Sequence, residues 1–255
     1  MIQNISKRER QVLDLLVEEE GITVTQLGNR LNVSAVTIRS TLNALGEKGV
    51  IVRTWGGASP AFHPEIIERQ RANQETKAAI AAAAAEIIED GDAVMIEAGT
   101  TTSLIGRYLF GKRDLHVVTN SMLFVPYGRA NPALRITVVG GTFQPVTESL
   151  VGPIALRELE QFHVRYAFVG TDGFSLEHGA TTHLVEGAEI VRRMASAAER
   201  TILLADSSKY GRAGFARVLA LSEVSLVISD TLLPDRAAAE LREAGIELRL
   251  VGKPQ

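Results

Sequence analysis

Five short stretches share one chemical character: Glu97-Ala98-Gly99-Thr100-Thr101-Thr102, Thr119-Asn120-Ser121, Gly140-Gly141-Thr142, Gly170-Thr171-Asp172-Gly173 and Asp206-Ser207-Ser208-Lys209. Each follows an apolar run of β type. Glycine lets a ligand come close to the backbone. A Thr/Ser run entering a helix adds hydroxyls beside free N–H groups, which attract an anion such as phosphate. Lys209 can supply a formal positive charge, and Glu97 and Asp172 can accept hydrogen bonds from sugar hydroxyls. Taken singly, each stretch has a plainer reading, because Thr and Ser cap helices, and Gly-Gly and Asp-Gly make turns. Five at the same end of one sheet describe a ligand crevice.

A second chemistry lies in VSAVTIRSTLNAL, residues 33–45. Ile38, Leu42 and Leu45 share one face of a helix, so Val36, Thr37, Arg39, Ser40 and Asn43 point away from it. That outer face is either an ordinary solvated surface or one shaped to lie against a partner. Its neighbours favour the second. Ser6 and Glu9 form a capping-box pattern before an amphipathic segment carrying Val12, Leu13, Leu16 and Val17, which stops at Gly21. A short helix over about 25–31 leads through Asn32-Val33 to Ser34, an N-cap for the third. VIVRTW then alternates into Gly56-Gly57 as a small β-wing. Three helices and a wing describe a winged helix-turn-helix, whose third helix fits the DNA major groove. A generic three-helix core is the competing reading. Trp55 is placed by packing against the first helix, with a DNA contact from the wing as the alternative.

The rest of the chain must position the five polar stretches. Residues 56–75 mix Gly, Pro and polar residues and read as a linker running into a helix. The alanine-rich run 77–88 is a structural helix, since Ala is the best helix former. Beyond it β-type runs (DAVMIEAG, LHVVTN, LRITVVGG, VRYAFVGTDG, TILLADSSK, VSLVISD, IELRLVG) alternate with helical ones: TTSLIGRYLF, SMLFVPYGRA, Glu186–Glu199 and DRAAAELREAG. Continuous apolar strands between helices imply a mostly parallel sheet covered on both faces. The fold class is α/β, with domains at 1–57 (a winged helix-turn-helix head), 58–75 (linker) and 76–255 (an α/β body).

Composition sets bounds on partners. The chain of 255 residues has no cysteine, so no disulfide or thiolate metal site is available. No apolar run reaches the roughly 20 residues that span a bilayer, and the N-terminus lacks a signal-peptide core. Cytoplasmic residence without membrane association is expected. His178 and His183 lack helical ligand spacing, so no metal is expected, nor any other cofactor. Net charge is −3; residues 1–60 hold seven basic and six acidic side chains, a balance of +1. A nearly neutral head makes few phosphate contacts per copy, so useful affinity for duplex DNA needs at least two copies.

The ordered motifs VSAVTIRSTL, LGEKGVIVRTWGG, ETKAAIAAAAAEIIEDGD, EAGTTTS, VVTNS, VVGGTF, YAFVGTDGF, HGATT and LLADSSKYG resemble the DeoR family of bacterial sugar-metabolism repressors over nearly the whole length. The resemblance implies a C-terminal sensor similar to ribose-5-phosphate isomerase, binding a phosphorylated sugar or sugar alcohol. It implies an operator-binding head and a homo-oligomer, dimer or tetramer. Carried onto this chain, the effector set is Glu97, Gly99, Thr100, Thr101, Thr102, Asn120, Gly140, Gly141, Asp172, Gly173 and Lys209. The DNA-facing set is Ser34, Val36, Thr37, Arg39, Ser40, Asn43 and Arg53. Two departures stand out. The family pattern TIRRDL here has Ser40 and Thr41 in place of its second Arg and its Asp, and Glu97 replaces the usual Asp. Losing a guanidinium alters operator contacts, and an extra methylene pushes a carboxylate further into the pocket.

Two alternatives compete with an effector-controlled repressor that has no catalytic residues. One is a sugar-phosphate isomerase, for which Asp172 and Glu186 would serve as base and acid. The stretch TDGFSLEHGATTH offers no lysine beside them, and the head has no role in catalysis. The other is a body that only oligomerises the head.

Overall fold

The computed structural model describes residues 5–19 and 21–252. The chain divides into two compact units between Ala72 and Asn73.

In the first unit, α1 (Lys7–Glu18) opens on the expected capping box. The Glu9 amide donates to Ser6 Oγ at 3.2 Å, and the Ser6 amide donates to Glu9 Oε2 at 2.5 Å. Helix α2 (Val24–Leu31) opens on a second box, Thr23 with Gln26. Asn32 then takes the left-handed conformation, φ +52°, and turns the chain toward Ser34. A side chain at Gly28 would stand 2.9 Å from the Val33 carbonyl, so only glycine lets this turn fold back so tightly. Ser34 caps α3 (Ala35–Glu47), whose Ile38, Leu42 and Leu45 are fully buried against Val12, Leu13 and Leu27. Strands β1 (Ile51–Thr54) and β2 (Gly57–Pro60) pair antiparallel as the wing.

Residues 58–75, expected as a linker, are mostly structured. Ala58 is buried in the wing, and α4 (Pro64–Arg71) buries Ile66 and Ile67, the latter in the head core. Arg71 pairs with Asp14 of α1. Two adjacent isoleucines on an otherwise charged helix suffice to dock it, a signal that the Gly, Pro and polar content of the segment obscures.

The second unit starts with α5 (Gln74–Ile87) and β3 (Ala93–Ile96). Then come β4 (His116–Thr119), the short α6 (Phe124–Gly128), β5 (Arg135–Val138), the hairpin β6 (Thr142–Gln144) and β7 (Ser149–Val151), and α7 (Pro153–Leu159). β8 (Val164–Val169), β9 (Gly173–Ser175), β10 (Gly179–Thr182), α8 (Val185–Ser196) and β11 (Ala198–Leu204) follow. β12 (Ala216–Leu219), β13 (Leu226–Asp230), α9 (Asp235–Glu243) and β14 (Leu248–Val251) complete it. The segment TTSLIGRYLF forms a 3-10 helix over Thr102–Tyr108. Ala198 and Glu199, expected in the preceding helix, already belong to β11.

Seven strands form one all-parallel sheet in the order β14-β13-β11-β8-β3-β4-β5. Both faces are buried. Met95, Ala167 and Val169 face one core with α8 and α9, while Val94, Ile96, Tyr166 and Phe168 face the other with α5. This two-sided burial is why the strands read as unbroken apolar runs. The chain runs from β3 outward to β5, returns to β8 on the other side of β3, and proceeds to β14. The winding direction therefore reverses between β3 and β8, and the crevice beyond their carboxyl ends is where open α/β sheets bind ligands. A three-stranded antiparallel sheet, β12-β10-β9, grows from the end of β8.

Candidate functional site

The switch point is framed by backbone and one carboxylate. The Glu97 amide donates to the Phe168 carbonyl at 3.0 Å, and Glu97 Oε2 accepts from the Gly170 amide at 3.0 Å. The extra methylene of Glu97 thus reaches across to the end of β8 and caps it.

After Glu97 the loop folds on itself. Thr102 Oγ1 donates to the Glu97 carbonyl at 2.7 Å, and Ser103 Oγ donates to the Gly99 carbonyl at 2.6 Å. An added Cβ at Gly99 would lie 2.8 Å from Thr102 Oγ1, so a side chain there would have to displace the Thr102 hydroxyl. Thr100, Thr101 and Thr102 are all buried, Thr102 completely. The amides of Gly99, Thr100 and Thr101 make no hydrogen bond among the described residues. These clustered N–H groups, more than the threonine hydroxyls, are the donors the loop can offer an anion.

Asn120, at the end of β4, is 1% exposed; its Oδ1 accepts from the Ala98 amide at 2.9 Å and its Nδ2 donates to the Leu150 carbonyl at 3.2 Å. It holds the loop in shape. Asp172 Oδ2 accepts from Thr182 Oγ1 at 2.8 Å and from the His183 amide at 3.1 Å, fastening the β9–β10 hairpin. Beside it, an added Cβ at Gly173 would meet the Arg212 carbonyl at 2.3 Å, so the strand and the segment after β11 are in direct contact. That segment is rigidly held. The Ser207 amide donates to Asp230 Oδ2 at 2.6 Å, and the Ser208 amide to Asp206 Oδ1 at 3.1 Å. Lys209 is half-buried, and its ammonium has no partner among the described residues.

Glu97, the Gly99–Thr102 loop, Asn120, Asp172, Gly173 and Lys209 therefore stand at the ends of four consecutive strands, β11-β8-β3-β4. Gly140 and Gly141 stand at the end of the next strand, the edge strand β5. At about 4.8 Å per strand, two strand spacings put Gly140 roughly 10 Å from the end of β3, as far as β11 lies on the other side. The Gly140 amide already donates to Glu158 Oε2 at 2.6 Å. An added Cβ at Gly141 would lie 2.6 Å from the Val151 carbonyl, so this pair serves the close approach of the β6–β7 hairpin. Sequence reasoning missed Asp230 and Glu158. Asp230 was findable, because VISD places a carboxylate at the same sheet end; Glu158 comes from a returning helix and leaves no local signal.

The head presents a second surface. Val36, Arg39, Ser40 and Asn43 are exposed on α3 together with its cap, Ser34, while Thr37 is half-buried and shares a hydroxyl hydrogen bond with Ser34 at 2.9 Å. Of the two residues that depart from the TIRRDL pattern, only Ser40 faces outward. Thr41 is buried and donates to the Thr37 carbonyl at 2.9 Å. Arg53 Nη1 donates to Asn43 Oδ1 at 2.9 Å, joining wing to helix. Trp55, expected to pack on the first helix, is instead fully exposed at the wing turn, where Gly56 adopts φ +83° and carries the tip clear of the head core.

Among the described residues no group of three metal-ligating side chains occurs and no helix is long and apolar enough to cross a membrane.

Comparison with known proteins matches residues 8–61 to the DeoR-like helix-turn-helix domain and residues 72–231 to the DeoR C terminal sensor domain. The HTH-type transcriptional repressor GlcR of Bacillus subtilis is 34% identical over 93% of this chain and 93% of its own. The HTH-type transcriptional regulator GlpR of Haloferax volcanii is 32% identical over 94% of this chain and 96% of its own. A ribose 5-phosphate isomerase A structure from Methanocaldococcus jannaschii covers 55% of each chain at 17% identity and a TM-score of 0.39, a likeness on which no argument rests.

Proposed function

The chain belongs to the DeoR family of DNA-binding transcriptional regulators, and from that premise we propose a repressor of a carbohydrate uptake or catabolism operon, released or engaged by a phosphorylated sugar or sugar alcohol. One observation carries the sensing half of this reading. The unbonded amides of Gly99, Thr100 and Thr101 lie at the switch point, two strands from the unpaired ammonium of Lys209. Together they supply directional donors and a charge for an anion. Glu97 and Asp172, both already structural, offer their remaining lone pairs to hydroxyls.

The reading half rests on the exposed set Val36, Arg39, Ser40 and Asn43, with Ser34 and Thr37 at the helix start and Arg53 on the wing. One copy offers little positive charge, so we infer at least a dimer gripping paired half-sites. Effector binding then acts by favouring one arrangement of heads over another; equal affinity for both would leave DNA binding unchanged. A thermal-shift screen of the full chain against phosphorylated sugars, polyols and their unphosphorylated forms tests this. Stabilisation only by the phosphorylated set is expected. Stabilisation by none removes the sensor reading, and turnover of any compound removes the repressor-only reading in favour of an isomerase.

A further inference from the structure

One buried carboxyl near the crevice has no role in the account so far. Glu148 lies at the turn of the β6–β7 hairpin and is 9% exposed. Its side chain has no hydrogen bond or ion pair among the described residues; only its backbone carbonyl is engaged, by the Met122 amide at 2.9 Å. It also holds φ +52°, a left-handed conformation uncommon for a residue with a side chain. The left-handed conformation opposes folding, and the carboxylate, whose oxygens still reach solvent, takes no partner among the described residues. Folding alone therefore gives no reason for a glutamate here.

Its surroundings connect it to the effector loop. Ser149 pairs with Ser121, and Ser121 Oγ shares a hydrogen bond with Ser103 Oγ at 2.9 Å. The Leu150 amide donates to the Asn120 carbonyl at 2.9 Å, and Asn120 in turn holds Ala98. Residues 148–150 thus line the segment after β4, directly beside the loop 97–103. Burial pushes the Glu148 carboxyl above its ordinary value, and no charged neighbour offsets the rise. Perturbed acids in crevices mark functional sites.

We propose that the Glu148 carboxylate accepts hydrogen bonds from the hydroxyl-bearing part of the effector, and so selects polyhydroxylated phosphates over phosphate alone. The inference rests on the proposed function, with the phosphate held by the Gly99–Thr101 amides and Lys209. The hydroxyl donors of the ligand supply the partner that the buried carboxyl lacks, and a ligand without hydroxyls leaves it unpaired.

Isothermal titration of the full chain tests it with inorganic phosphate, ribose 5-phosphate, glucose 6-phosphate, fructose 1-phosphate and sorbitol 6-phosphate. Glu148→Gln keeps the shape and lowers acceptor strength; Glu148→Gly suits the left-handed backbone and removes the acceptor, so at least one folded variant is secured. For the tightest sugar or polyol phosphate, affinity should fall at least about tenfold in either variant, with inorganic phosphate unchanged within about twofold. Unchanged sugar-phosphate affinity overturns the role of Glu148 and leaves the sensor reading standing. A parallel loss for inorganic phosphate also overturns it, by showing a structural effect. If the parent binds no compound of the panel, the sensor reading fails and takes this inference with it.

Discussion

Lys209→Ala separates recognition from stability. The ammonium is half-buried and unpaired among the described residues, while the turn that carries it is fixed by Asp206 and Asp230 through backbone amides. Truncation breaks no hydrogen bond or ion pair, so the melting temperature of the effector-free chain should stay within about 1–2 °C, as for a change worth under about 0.5 kcal/mol. Effector binding is different. A charge-assisted hydrogen bond to phosphate contributes roughly 1.5–3 kcal/mol, and about 1.4 kcal/mol is a factor of ten, so affinity should drop about 12- to 140-fold. Titration calorimetry gives the affinity, and gel shift on a mapped operator gives the DNA response. Effector-free DNA binding should match the parent, with the effector response displaced to higher concentration by the same factor. An unchanged effector affinity would refute the assignment of Lys209 to the pocket, and an unfolded variant would refute the claim that its side chain is unengaged.

Other changes probe the head, the mini-sheet and the assembly. Arg39→Ala, on the exposed face of α3, should weaken operator binding by about 1–3 kcal/mol if the guanidinium reads a base, with no change in melting; quantitative footprinting measures it. Burial raises the Glu9 carboxyl, but the Lys48 ammonium at 2.7 Å and the Ser6 amide and hydroxyl outweigh it and hold it below the ordinary range. Folding thus favours ionised Glu9, whose contribution is complete above about pH 4.3 and vanishes as pH falls through the lowered value. Protection of α1 and α3 against hydrogen exchange, corrected for the intrinsic rate, should fall in acid, and Lys48→Met should shrink that fall because the folded value moves back toward the unfolded one. Gly173→Ala places a Cβ against the Arg212 backbone and should cost about 1–3 kcal/mol, lowering both the melting temperature and effector affinity. Size-exclusion chromatography with light scattering should show at least a dimer; a monomer that protects a full operator would sink the half-site argument.

The parts of this structure most readable from sequence are those whose signals are local. The capping box at Ser6 and Glu9, the cap at Ser34 and the apolar row Ile38, Leu42 and Leu45 each lie within one turn or one face of a helix. The parallel strands were visible because both faces of the sheet are covered, which makes each strand a continuous apolar run. Long-range contacts were hidden. Glu158 reaches the Gly140 amide only because α7 returns across the sheet edge, and the bond from the Ala98 amide that makes Asn120 a loop brace joins residues 22 apart in sequence. The mini-sheet strand β10, Gly179–Thr182, carries small and polar residues, so no hydrophobic period announces it. The segment 58–75 resembles a linker because composition averages over Ile66 and Ile67, which dock its helix. Trp55 departs from the packing expected of a large aromatic because the wing turn carries it past the core.

That misplaced tryptophan makes the protein its own optical probe. Trp55 is the sole tryptophan of the chain and is fully exposed. Indole emission therefore arises entirely from the wing, and the body is dark at wavelengths that excite tryptophan alone. Melting of the sheet should pass almost unseen in this channel while circular dichroism records it. With a sugar phosphate at the site proposed in the other unit, a change of emission in the absence of DNA, lost in Lys209→Ala, makes the coupling between sensing and reading measurable without any label.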